Sequence, residues 1–234
     1  MKFLIVTALI LSSFMETRAG MKILIVTALI LSSFMETRAG AEDFCRVLQP
    51  QDRRNRWDVC DVTLDPNTAH TRLILSEGNR KVEHVKERQS YPDRPERFDH
   101  WEQVLSVENF TGSCYWEVEW SGKVYISVSY GGIQRKGGSN ECLFGKNKNS
   151  WSMFCSKSYF SVLHNINESR IPALPPPSNR VGVYLDWEGG TVSFYTIPPN
   201  THTLTHLHTL TTTFTEPLYA GFTLWEAGSS VRFY

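Results

Sequence analysis

The chain of 234 residues lacks a net charge: 24 Lys and Arg stand against 24 Asp and Glu. A polyphosphate binder shows its electrostatic footprint as a basic excess, so this balance excludes general nucleic-acid binding. Cysteine is sparse and odd in number, five in all, which excludes a disulfide-framed scaffold. There is no C-x-x-C and no Cys/His spacing of zinc-finger type. G-x-S-x-G, H-E-x-x-H, G-x-G-x-x-G and a true P-loop are all missing. The near match Gly132–Ser139 has Gly138 where a P-loop requires lysine. No segment sustains a 3.6-residue apolar stripe over three turns, and scattered Gly and Pro with 12% aromatics exclude collagen-like, coiled-coil and disordered classes.

What is present begins with a repeat. Residues 1–20 and 21–40 are one 20-mer written twice, differing only at Phe3/Ile23. Each copy has a lysine, an uncharged apolar run and a small-residue end at Thr-Arg-Ala, the grammar of a secretory signal. Thirteen helical residues rise about 20 Å against a hydrocarbon core of about 30 Å, so no stable membrane span is expected. Cleavage is expected after Ala39 or Ala41. Met21 as the true start is the alternative, with the first copy a duplication. Without the leader, residues 41–234 carry 20 basic and 22 acidic groups. A secreted protein is expected, a cytoplasmic one being the alternative.

Cys142 and Cys155 flank an expected hairpin, ECLFG–KNKN–SWSMFC, and two readings stand: an oxidised pair, or two buried thiols acting as small apolar side chains. Two N-x-S/T sequons begin at Asn109 and Asn167, candidate glycosylation sites in an exported chain.

From Asp58 onward the pattern is that of strands. Trp116, Val118 and Trp120 alternate with Glu117 and Glu119, the period of a half-buried strand. A turn at Ser121-Gly122-Lys123 leads to a second strand with Val124, Ile126 and Val128 on one face. Val181–Trp187 and Thr191–Tyr195 flank a Glu188-Gly189-Gly190 turn as a further hairpin. More runs lie at 62–64, 72–75, 158–164 and 219–224. Short strands at such spacing predict an all-β fold, an antiparallel two-sheet β-sandwich. Trp116, Trp120, Trp151 and Trp187 are expected in or beside the core.

Leu64-Asp65-Pro66 to His70, with Pro95-Glu96-Arg97-Phe98 and the segment to Leu105, resembles a PRY segment. Tyr115-Trp-Glu-Val-Glu119 and Leu185-Asp-Trp-Glu-Gly-Gly-Thr-Val-Ser-Phe-Tyr195 resemble the two other core motifs of the B30.2 (PRY-SPRY) domain, in its fish version. The expected organisation is a leader over 1–40, an N-terminal extension over 41–57, PRY over 58–108 and SPRY over 109–234, with 58–234 forming one domain. No RING, B-box, coiled coil or nucleotide-binding motif stands upstream, and a signal with a lone domain resembles the vespryn arrangement.

Loops on a rigid frame carry binding in such sandwiches. Three stand out: Tyr130–Asn140 with Arg135 and Lys136, Phe154–Tyr159 with Lys157, and Trp225–Gly228. The resemblance places ligand contacts at Tyr130 and Gly131, at Phe154 and Ser156, and at Phe222 or Trp225. Tyr159 completes the second loop.

A weaker candidate is metal binding by His202, His206 and His208, which an unbroken strand would set on one face. Neighbouring threonines and the lack of a fourth ligand argue for a solvated face instead. Asp186 and Glu188 are read as turn residues satisfying local amides rather than as a catalytic pair. No cofactor is expected. The sequence therefore predicts a secreted, non-enzymatic module that binds a protein ligand through its loops. The alternatives are a toxin-like effector and a cytosolic innate-immune sensor domain joined to a leader.

Overall fold

The structure is a computed structural model that describes residues 57–172, 178–199 and 203–234. The leader, nearly all of the N-terminal extension, the proline-rich stretch 173–177 and His202 lie outside the described residues. Among those described, strands dominate and no α-helix forms; no helix is long and apolar enough to cross a membrane.

Two antiparallel sheets form the expected sandwich. The first runs in the order β1 (Leu73–Ser76), β2 (Lys81–His84), β13 (Ser230–Phe233), β4 (Ser113–Ser121), β9 (Arg180–Asp186), β10 (Thr191–Thr196) and β11 (Thr205–Thr211). The second runs β3 (Gln103–Phe110), β12 (Leu218–Leu224), β5 (Val124–Tyr130), β6 (Ser150–Cys155), β7 (Tyr159–His164) and β8 (Asn167–Pro172). The core lies between them. β4 contributes Trp116, Val118 and Trp120, β5 contributes Val124, Ile126 and Val128, β9 contributes Val181, Val183 and Leu185, and β12 contributes Phe222. These are the alternate residues that period-2 patterning predicts.

One expected connection differs. The turn after Ser121 joins two sheets instead of two paired strands. β4 bonds to β13 and β9, whereas β5 bonds to β12 and β6. Gly122 makes this crossing with φ +76, and a Cβ there would sit 2.3 Å from Ser229 Oγ. The β9–β10 hairpin forms as expected, and the Gly189 amide donates to Asp186 Oδ1 at 2.8 Å. Asp186 is thus the turn residue that the sequence predicts.

Alternation also fails to predict how much of each outer face is covered. Glu117 of β4 is buried because the segment from Trp57 lies along that strand. Val59 forms a parallel bridge to Tyr115, and the Cys60 amide donates to the Tyr115 carbonyl at 2.9 Å. Trp57 stacks on Tyr184 with centroids 4.3 Å apart. Glu117 accepts from the Tyr115 hydroxyl at 2.7 Å and pairs with Arg180 at 2.7 Å, so the carboxylate is held inside a bonded set. The guanidinium of Arg180 lies 3.6 Å from the Tyr234 ring centroid.

The second sheet is covered by the 131–149 loop. Phe144 packs on Phe98, Leu105 and Ile133 and reaches the backbone at Gly221, where a Cβ would come 2.8 Å from Phe144 Cζ. Gln103 fastens the loop: its Nε2 donates to the Cys142 carbonyl at 2.7 Å, and its Oε1 accepts from the Phe144 amide at 2.9 Å. This cover leaves all seven residues of β5 buried.

The cysteine pairing differs from the candidate. Cys60 and Cys114 form the disulfide, with Cα atoms 5.7 Å apart, while Cys142 and Cys155 are free and buried. The expected hairpin does not exist, because Asn140–Cys142 is a 3-10 turn and the first strand after it is β6. Cys155 lies at the far end of that strand, paired with Val124 and Phe160.

Candidate functional site

One transverse row of side chains crosses the second sheet. Register pairs Gln103 with Thr223, Thr223 with Tyr125, Tyr125 with Phe154, Phe154 with Ser161 and Ser161 with Arg170. Directly opposed residues share a face, so the row lies on the outer surface. The 131–149 loop caps its Gln103 end. Its Arg170 end stays open, as a cleft of about 390 Å³ between Tyr125, Phe154, Tyr159, Arg170 and Trp225.

Aromatic edges build the walls. Tyr125 meets Phe154 edge to face at 5.3 Å, and Phe154 meets Tyr159 at 5.4 Å. Trp225 sits just past the end of β12 and is 38% exposed. Trp101 supports it at 5.6 Å, and the Trp101 indole donates to the Ser139 carbonyl at 3.4 Å. Arg170 lies over the Tyr159 ring at 4.5 Å.

The charges of the cleft are mostly paired within the fold. Lys123 binds Glu226 at 3.0 Å. Glu168 accepts from Ser161 Oγ at 2.9 Å and lies 3.6 Å from Lys146. Burial, with the charges of Glu168 and Tyr159, holds the Tyr125 phenol well above the usual phenol range, so it stays a neutral hydroxyl.

The cleft gathers Phe154, Tyr159 and Trp225 from among the sequence-predicted contacts. Lys157 is exposed in the adjoining turn. Ser156 is buried and shapes that turn: its Oγ donates to the Tyr159 carbonyl at 2.8 Å and accepts from the Tyr159 amide at 3.2 Å. Tyr130 and Phe222 are core residues, 8% and 0% exposed. The Tyr130 hydroxyl accepts from the Thr215 amide at 3.0 Å. Both point inward because their strand positions fall on the sandwich face, which removes them from the surface.

Gly131 and Arg135 belong to the capping loop. Arg135 donates to the carbonyls of Glu96 and Gly131 at 3.1 and 2.9 Å and lies 4.8 Å over the Phe98 ring. Its guanidinium, expected as a ligand contact, is committed to holding the loop. Lys136 is exposed and paired with Asp93 at 3.0 Å.

Sequence reasoning missed Tyr125, Arg170, Trp101 and the two flanking glutamates. Period-2 alternation already turns Tyr125 away from Val124 and Ile126. Register across β5 to β8, which no local pattern encodes, is what brings Arg170 beside it.

His206 and His208 do not present a common face. A bulge interrupts the β10–β11 register between Phe194 and Tyr195, so His208 opposes Phe194 while His206 opposes Tyr195. Phe194 faces the core and Tyr195 the outer cluster. The premise of an unbroken strand therefore fails. Among the described residues no group of His, Cys, Asp or Glu is arranged to hold a metal ion. Asn109 and Asn167 are both exposed.

Comparison with known proteins identifies the fold. The PRY model, an SPRY-associated domain, matches residues 62–110, and the SPRY domain model matches residues 113–234. Stonustoxin subunit beta of Synanceia horrida is 41% identical over 198 residues, which is 82% of this chain and 28% of that protein. Tripartite motif-containing protein 16 of Mus musculus is 40% identical over 178 residues, 74% of this chain and 31% of that protein. The chain thus spans less than a third of the length of these relatives. Among solved structures, the stonustoxin structure superposes with a TM-score of 0.70 at 36% identity, over 75% of this chain and 29% of that one. The TRIM65 PSpry domain also gives 0.70, at 28% identity over 79% of this chain and 95% of that one. With both segments matched in order on a two-sheet sandwich, the chain belongs to the SPRY domain family, in its PRY-SPRY form.

Proposed function

We propose that this protein is a secreted, non-enzymatic recognition domain that binds another protein at the open end of the second sheet. SPRY domains are protein-interaction modules. The carrying observation is the aromatic cleft of Tyr125, Phe154, Tyr159 and Trp225, with Arg170 at its rim. Trp, Tyr and Arg are the side chains that dominate interface energetics.

Export is supported by the Cys60–Cys114 disulfide, since such bonds persist in oxidising compartments. The exposed sequons at Asn109 and Asn167 agree with it. A binding role in place of catalysis fits the thiols: burial pushes the Cys155 thiol up, the opposite of what a nucleophile needs.

Crosslinking capture with the full chain, wild type against a Phe154→Ala/Trp225→Ala pair, tests the surface. The reading expects one partner to be lost from the variant while its melting curve stays in place; identical capture by both proteins would overturn it. For export, processed protein in the medium should begin near Gly40 or Glu42, and retention in the cytosol with an intact N-terminus refutes that half.

A second reading, a toxin-like effector, draws on the 41% identity to stonustoxin subunit beta. Haemolysis by the purified chain alone would favour it over recognition.

A further inference from the structure

Three of the four charged groups around the cleft are neutralised inside the fold: Lys123 by Glu226, and Glu168 by Lys146. Arg170 is the exception. Among the described residues its guanidinium has neither an ion pair nor a hydrogen bond, and it lies over the Tyr159 ring at 4.5 Å. Stacking an arginine on an aromatic face sets its plane and leaves the edge of the fork free, the geometry that takes a carboxylate through two parallel N–H donors. Beside it the Tyr125 hydroxyl, which also makes no hydrogen bond among the described residues, faces the same cleft. The floor therefore offers an unpaired cation and a hydroxyl able to donate, while its carboxylates already face cations. Trp225, 38% exposed, adds an apolar landing on the far wall.

We propose that the open end of the cleft receives an acidic side chain of the partner protein, an Asp or Glu beside an apolar residue, with Arg170 as the ion partner and Trp225 as the apolar contact. This rests on the cleft being the recognition surface. A carboxylate fits better than a phosphate, because a dianion calls for a second unpaired cation and Lys123 is already held by Glu226 at 3.0 Å. A basic side chain is disfavoured because both carboxylates already face a cation, Glu168 facing Lys146 and Glu226 binding Lys123. Apolar contact alone would leave the guanidinium covered and unpaired, which is costly.

The test retains amidated heptapeptide libraries on the immobilised full chain, with a central residue fixed as Glu, Gln, Lys or phosphoserine and the flanks randomised. The Glu library should be retained about tenfold over Gln, the scale of one charge-assisted pair at a partly desolvated site. Leu, Phe or Trp should be enriched next to the fixed position. Arg170→Gln should abolish the Glu preference, and Arg170→Glu should transfer it to the Lys library. Both variants should keep the wild-type melting curve, because the guanidinium makes no hydrogen bond or ion pair among the described residues and lies on an exposed strand. Equal retention of Glu and Gln, or preference for phosphoserine, overturns the acidic-partner inference. If retention then still depends on Trp225, the cleft stands as the binding surface without its carboxylate; if no library is retained above a Trp225→Ala control, both readings fall.

Discussion

Tyr125 and Trp225 meet edge to face, their centroids 5.5 Å apart and their planes at 82°. The first ring is 7% exposed and the second 38%. A ring locked by packing thus props another in solvent, so the exposed indole is preorganised for contact at little further entropic cost.

Trp225→Ala is expected to leave stability within about 1 kcal/mol of wild type, because the ring is an exposed one at a strand end. Partner binding should fall by about 2 kcal/mol or more, roughly thirtyfold. Urea denaturation and quantitative crosslinking of the same preparation separate the two effects.

Tyr130 should behave in the opposite way. Tyr130→Ala empties a core site and is expected to cost about 3–5 kcal/mol. Tyr130→Phe removes only the acceptor of the Thr215 amide, a loss of about 1 kcal/mol. Neither should alter peptide selection at the cleft wherever the protein remains folded; a binding defect in folded Tyr130→Phe would return this residue to the surface.

His70 should make the fold acid-sensitive. Burial holds its imidazole below the ordinary value of 6.5; Glu102 opposes this, and Arg88 and Arg72 reinforce it. Its Nδ1 accepts from the Arg72 amide at 3.2 Å, a bond available only to the neutral ring. With the folded value below the unfolded one, the unfolded chain binds the proton first on acidification. The stabilisation is present above pH 6.5 and is lost as pH falls below it. Urea midpoints at pH 7.5 and 5.5 should differ in the wild type and converge in His70→Gln; equal slopes would assign the acid loss elsewhere.

Peptide mapping without reduction should recover Cys60 joined to Cys114, with Cys142 and Cys155 alkylated only after unfolding. Removing the bond with the double Ser variant should cost about 2–4 kcal/mol, in the range usual for loops of tens of residues; the loop here spans 54 residues. A Cys142–Cys155 peptide would contradict the fold around β6.

The sandwich was legible because apolar alternation in segments such as Trp116–Trp120 and Val181–Leu185 reports directly on which residues enter the core. Local patterns say nothing about which strands become neighbours. For that reason the Gly122 turn reads as a hairpin although it bridges two sheets, and Arg170 escapes notice although it opposes Ser161. Tyr130 and Phe222 look like ligand contacts because motif position locates a loop without fixing the direction of each side chain. A one-residue bulge likewise undoes the histidine pattern, since period-2 reasoning holds only while the ladder is unbroken.

The segment from Trp57 and the last residue, Tyr234, lie along the same strand: Val59 bridges Tyr115, and the Tyr234 amide donates to the Glu117 carbonyl at 3.0 Å. Both bond to the backbone of β4 within the first sheet, whereas the cleft lies on the second. Strand β4 is thus completed by two segments far apart in sequence, a non-local closure whose loop entropy must be met before its bonds can form.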